Sequence, residues 1–98
     1  MGTLNALLEH EGIVVIERAG AVLLDTANLL RALALIQERN IFLAGLEGFH
    51  LNGDQLTPVM DMIVDTSGAA TVAEAVDCIK RVVSAEGCND MLYELISL

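Results

Sequence analysis

The run Ile41-Phe42-Leu43-Ala44-Gly45-Leu46 constrains the fold of this chain more than any other segment. No apolar run in the chain is longer, and its length suits a strand, far short of the ~18–20 residues a membrane-spanning helix needs. Both alternating sets of residues in it are apolar, so it reads as a central strand rather than an edge. Gly45 and Gly48 bracket Glu47, which predicts a bend or bulge just past its end.

The flanking segments supply helices and further strands. Upstream, Thr3 to Glu11 reads as a short helix, with Thr3 as N-cap, Leu4, Leu7 and Leu8 on one face and Gly12 as the left-handed exit. Ile13-Val14-Val15-Ile16 has the β-branched density of a buried strand. Arg18-Ala19-Gly20 then turns the chain into Ala21-Val22-Leu23-Leu24 as a hairpin, with Asp25 capping a helix over 26–39. The alternative is a helix starting near Ala21, because Val22, Thr26, Leu29, Leu33 and Ile36 share a helical face. In either case Leu29, Leu30, Leu33 and Ile36 form the expected buried stripe, and Asn40 suits the helix exit.

Downstream, Asn52-Gly53 between apolar residues is a hairpin signal, because both turn positions of that type need positive φ. Thr57-Pro58 fits the N-cap and first position of a single helical turn, followed by Met62-Ile63-Val64, which could equally be strand. Thr71-Val72-Ala73-Glu74 is a capping box for a helix that buries Val72, Val76, Ile79 and Val83 and closes at Gly87. Met91 to Ser97 reads as a last strand. The expected fold is therefore α+β and a single domain over 1–98. It has one sheet of three to five strands, two main helices packed on one face, and a short N-terminal helix.

Composition matters for what such a fold leaves over. Aliphatic, aromatic and Cys residues make up 54% of 98 residues and charged residues only 19%, a larger aliphatic share than one small core usually needs. The surplus points to an interface, with a homodimer as its simplest form. Net charge is −9, from fourteen carboxylates against five Lys and Arg. That balance excludes a basic stripe for nucleic acid and disfavours an anionic membrane surface. It would steer a basic protein partner, although acidity also simply keeps an aliphatic-rich chain soluble. The N-terminus shows no basic segment followed by an apolar stretch, and Ala6 stands where a myristoylation signal wants Ser or Thr, so a cytoplasmic protein is expected. Cys78 and Cys88 then read as reduced thiols rather than a disulfide.

No catalytic motif is visible, and the chain is expected not to be an enzyme. His10, His50, Cys78 and Cys88 lack metal-ligand spacing, and Asn52-Gly53-Asp54 lacks the remainder of a calcium loop, so neither metal nor cofactor is expected. His50 reads as a solvated hairpin residue and His10 as a partner for a helix C-terminus. Phosphate-binding glycine loops do not occur. What remains is Glu47, Asp54, Asp61 and Asp65, four carboxylates in a stretch without Lys or Arg. If 58–65 were helical, Asp61 and Asp65 would share a face and repel. Such a cluster reads as a partner-binding acidic patch, as a carboxyl pair for proton transfer, or as a solvated loop edge.

The run Ile41-Phe42-Leu43-Ala44-Gly45-Leu46-Glu47-Gly48-Phe49, with a helix before it and a helix–strand pair after it, resembles small acidic bacterial immunity proteins, the colicin-type inhibitors of secreted nucleases. The resemblance covers residues 27–98. It implies an inhibitor that occupies the basic cleft of a nuclease. The scarcity of aromatic residues departs from the Tyr and Trp anchors common in tight interfaces.

Overall fold

A computed structural model describes residues 3–18, 20–53, 55–86 and 91–97. The chain runs through α1 (Thr3–His10), β1 (Ile16–Arg18), β2 (Ala21–Leu23), α2 (Thr26–Arg39), β3 (Leu43–Asn52), β4 (Gln55–Asp65), α3 (Val72–Glu86) and β5 (Met91–Ser97). The class is α+β, as the sequence implies. The sheet differs in detail from the single sheet expected. Strands β4-β3-β5 form one antiparallel sheet with β3 in the centre, and β1-β2 form a separate hairpin. The two are tied by one bridge, in which Leu24 and Tyr93 exchange N–H···O bonds of 2.8 Å each. Asp25 must cap α2 immediately afterwards, so the chain leaves β5 before a ladder can grow.

The helix ends follow their local chemistry. The Asp25 carboxylate accepts from the Asn28 N–H at 2.8 Å, which starts α2 at Thr26. Asn40 ends it in the left-handed conformation (φ 55°), and the Ile41 N–H reaches back to the Ile36 carbonyl. Gly12 (φ 79°) ends α1 the same way, with the Ile13 N–H bonded to the Leu8 carbonyl. This geometry overturns the strand expected at 13–16. Ile13 is used to close α1, and Val14 is exposed with its N–H on the Asn28 side-chain oxygen, so pairing begins only at Ile16. At α3, Thr71 Oγ1 accepts from the Glu74 N–H, and the Glu74 carboxylate accepts in return from the Ala70 N–H rather than from Thr71.

The core lies between the helices and one face of the sheet. Leu4 and Leu8 of α1, Leu29, Ala32, Leu33, Leu35 and Ile36 of α2, and Val72, Val76, Ile79 and Val83 of α3 meet Leu46, Met62, Met91, Tyr93 and Leu95. Leu30, placed in the buried stripe by sequence, is 45% exposed; Ala32 and Leu35 take its place because the buried arc is centred one residue further round. Gly48 permits the dense part of this packing, since a Cβ there would collide with the Met62 side chain and the end of Met91.

The segment after β3 departs most from expectation. Thr57 and Pro58 belong to β4, not to a helical turn. A single isolated turn does not recover its nucleation cost, whereas pairing with β3 satisfies the backbone along the segment. Pro58 is tolerated because β4 is an edge strand. The Asn52–Gln55 pairing keeps Asn52 in the ladder and leaves Gly53 (φ 65°) in the turn, rather than Asn52 and Gly53 together. The irregularity expected around Glu47 occurs, as pairing to β4 shifts between Glu47 and Phe49, and a second that the sequence did not announce shifts pairing to β5 between Leu43 and Gly45. Buried Thr66 fastens the second irregularity, its hydroxyl donating to the Leu43 carbonyl at 2.8 Å and its N–H to Ala44 at 2.9 Å.

Candidate functional site: the open face of the sheet

Cross-strand partners point to the same side, so the register sorts the sheet into two faces. The row Leu95–Leu46–Val64 and the pair Tyr93–Gly48 face the helices. The opposite face carries Glu94–Glu47–Ile63, Leu92–Phe49–Pro58, Ile96–Gly45–Asp65 and the pair Leu51–Leu56. Both main helices contact the first face, and the second has no helix over it among the described residues. Ile63 is 48% exposed and Ile96 36%, while Phe49, Leu51 and Leu56 are half-buried. Met60, in the irregular stretch of β4, is 78% exposed. Leu92 is buried, and so is Leu23, which lies next to the Leu24–Tyr93 bridge and outside the main core cluster.

In the middle of this apolar face stand two carboxylates, Glu47 and Glu94, directly opposite each other on β3 and β5. Such partners have Cβ atoms about 5 Å apart, and like charges there are unfavourable. Partial burial, and next the charge of Glu47, holds the Glu94 carboxyl above its ordinary range. No relief comes from within the sheet, because β3, β4 and β5 contain no Lys or Arg at all. The described ion pairs, Arg39–Glu11 and Arg81–Asp77, lie elsewhere.

The sequence-derived carboxylates end up in different situations. Glu47 is central to the open face. Asp54 lies outside the described residues. Asp61 and Asp65 are on a strand, so their separation is about 13 Å along β4 rather than one helical turn, and the proposed repelling pair is not formed. Asp65 is already engaged: its carboxylate accepts from the Ser67 N–H at 2.9 Å and the Ser67 hydroxyl at 2.6 Å, which lowers its pKa. The residue that does pair with Glu47 is Glu94, which the sequence reading missed. Its signal was a lone carboxylate inside the otherwise apolar run Met91–Ile96, and that cannot reveal which strand lies beside it.

Other candidate chemistry is dispersed. His50 is exposed at the hairpin end of β3, on the side away from Glu47. Cys78 is a free, half-buried thiol on α3; Cys88 lies outside the described residues. One open hollow is lined by Gln37, Ala73, Val76, Asp77 and Lys80 between α2 and α3, another by Glu11, Ile13, Arg31, Ala34, Leu35 and Glu38. Neither brings a histidine or cysteine beside a carboxylate. Among the described residues no group of His, Cys, Asp and Glu is arranged to hold a metal, and no helix is long and apolar enough to cross a membrane.

Compared with protein-family models, curated proteins and solved structures, the chain gives no significant match.

Proposed function

We propose that this chain is a non-enzymatic interaction protein of the cytoplasm whose docking surface is the open face of the β4-β3-β5 sheet. The observation that carries the reading is one-sidedness. The sheet buries one face under helices and presents Phe49, Leu51, Leu56, Ile63 and Ile96 on the other. An apolar sheet face with no helix over it, interrupted by one carboxylate pair, fits an interface. Self-association into a homodimer is its simplest use. Sedimentation velocity from about 10 μM to about 1 mM, the range of weak protein contacts, tests it. Concentration-dependent dimer formation that Ile63→Arg weakens by tenfold or more is expected; a dimer indifferent to Ile63→Arg would place the surface elsewhere.

A second reading is favoured by the Glu47–Glu94 pair: a partner with a basic protruding segment would neutralise both carboxylates. The resemblance to nuclease-inhibiting immunity proteins points the same way. Here Glu47→Lys should slow association with such a partner and flatten its salt dependence. An unchanged on-rate for Glu47→Lys would reduce the acidic residues to solvation.

A further inference from the structure

We propose that Pro58 and three inserted residues, Val59, Met60 and Asp61, guard the outer edge of β4 against strand addition by a second copy of this chain. The guard acts at the edge of the sheet and does not depend on what its open face binds.

The register exposes the insertion. Ile63 stands opposite Glu47 and Pro58 opposite Phe49, so residues 59–62 of β4 face Gly48 alone. One residue would suffice there, which leaves three of the four as surplus. Hydrogen-bond parity agrees on both sides of the break. Opposed residues in an antiparallel ladder alternate between bonding each other directly and not bonding. Pro58 has no N–H, so its pairing with Phe49 is of the non-bonded kind, and its ring nitrogen points away from β3. Past the break, the Thr66 N–H donates to the Ala44 carbonyl at 2.9 Å, which makes Glu47–Ile63 a non-bonded pair as well. With residues 59–61 removed, Met62 would fall opposite Gly48 as the bonded pair between them, and the ladder would run unbroken. Met62 is fully buried and already lies against Gly48, so seating it does not require the insertion. Met60 is 78% exposed, and Asp61 is exposed beside it.

What the insertion changes is the edge. By the same alternation, the outward N–H groups of β4 belong to Leu56, Ile63 and Asp65, and Pro58 leaves a gap in that row. An uninterrupted row on an apolar strand is a template for another chain, and natural edges are blunted by Lys, Pro or a bulge. β4 contains no Lys, so the task falls to Pro58 and the insertion. At the other edge of the sheet, Tyr93 of β5 is already bonded to Leu24, with the β1-β2 hairpin beside it. Among the described residues β4, eleven residues long, is the edge with no strand on its outer side.

Sedimentation velocity and amide hydrogen exchange test the guard, on the wild type and on a chain that lacks residues 59–61 and carries Pro58→Val. Far-UV circular dichroism shows whether that variant folds. It is expected to associate about tenfold or more tightly than the wild type. Exchange at Leu56, Ile63 and Asp65 should slow as its concentration rises, a mark of strand pairing that contact through the open face does not produce. A folded variant that associates no more tightly than the wild type overturns the inference, as does tighter association that leaves these amides exchanging freely. A wild type whose own Leu56 and Ile63 amides gain protection on association overturns it too, because the edge would then be in use. Should the deletion prevent folding, Pro58→Val alone decides. Tighter association with slowed exchange at Leu56 supports the guard, and unchanged association overturns it.

Discussion

Leu46 and Glu47 are neighbours in β3, one sealed beneath the helices and the other on the open face beside a second carboxylate. Around Leu46 the packing is so close that Gly48 has no room for a side chain. Around Glu47 the neighbours are partly solvated apolar groups and a like charge. The inner face carries the dense packing of the sheet, and the outer face carries a like-charge pair at its centre.

The sharpest way to break the comparison is to truncate one residue on each side. Leu46→Ala should cost about 2–5 kcal/mol in urea denaturation, through lost burial and the cavity left behind. Ile63→Ala, from the open face, should stay within about 0.5 kcal/mol. Equal costs would mean that the outer face is covered in the isolated chain.

Gly48→Ala probes the inner face from the opposite direction. Its added methyl meets Met62 and Met91, so overpacking should cost about 1–3 kcal/mol, read as a lower denaturation midpoint at unchanged slope.

The smallest effect concerns the carboxyl pair. The folded state holds the Glu94 proton more tightly than the unfolded chain, whose ordinary value is 4.5. Stability is therefore lost as the pH rises from that value through the raised one, and the penalty persists above it. Glu94→Gln should stabilise the fold by about 0.5 kcal/mol at neutral pH, a modest gain because solvent screens the pair. The gain should vanish below the ordinary value; denaturation midpoints at about pH 7 and about pH 4 check the sign. A variant less stable than wild type at neutral pH would show that Glu94 has a favourable partner.

Much of the secondary structure was legible because its signals are local. Asp25 and Asn40 bound α2, Thr71 and Glu74 start α3, and Gly45 and Gly48 announce the irregular pairing around Glu47, each through backbone chemistry within a few residues. The errors fall where a distant partner decides. Thr57-Pro58 looks like a helix start until β3 offers a ladder, and Val14 looks like strand until Asn28 takes its N–H. Of the four carboxylates singled out, Glu47 occupies the centre of the open face, Asp65 is tied to Ser67, and Asp61 stands apart from Asp65 on an edge strand.

The sequence by itself determined where α2 ends and α3 begins, that the Ile41–Leu46 run feeds a central strand, and that the stretch from Glu47 to Asp65 carries acid without base. Those properties depend on composition and on contacts a few residues long. Only the tertiary structure decided that β5 lies beside β3, which sets Glu94 against Glu47, and that both main helices cover the same face. Strand order and the side on which helices settle are fixed by burial of the whole chain at once, and no short segment encodes them.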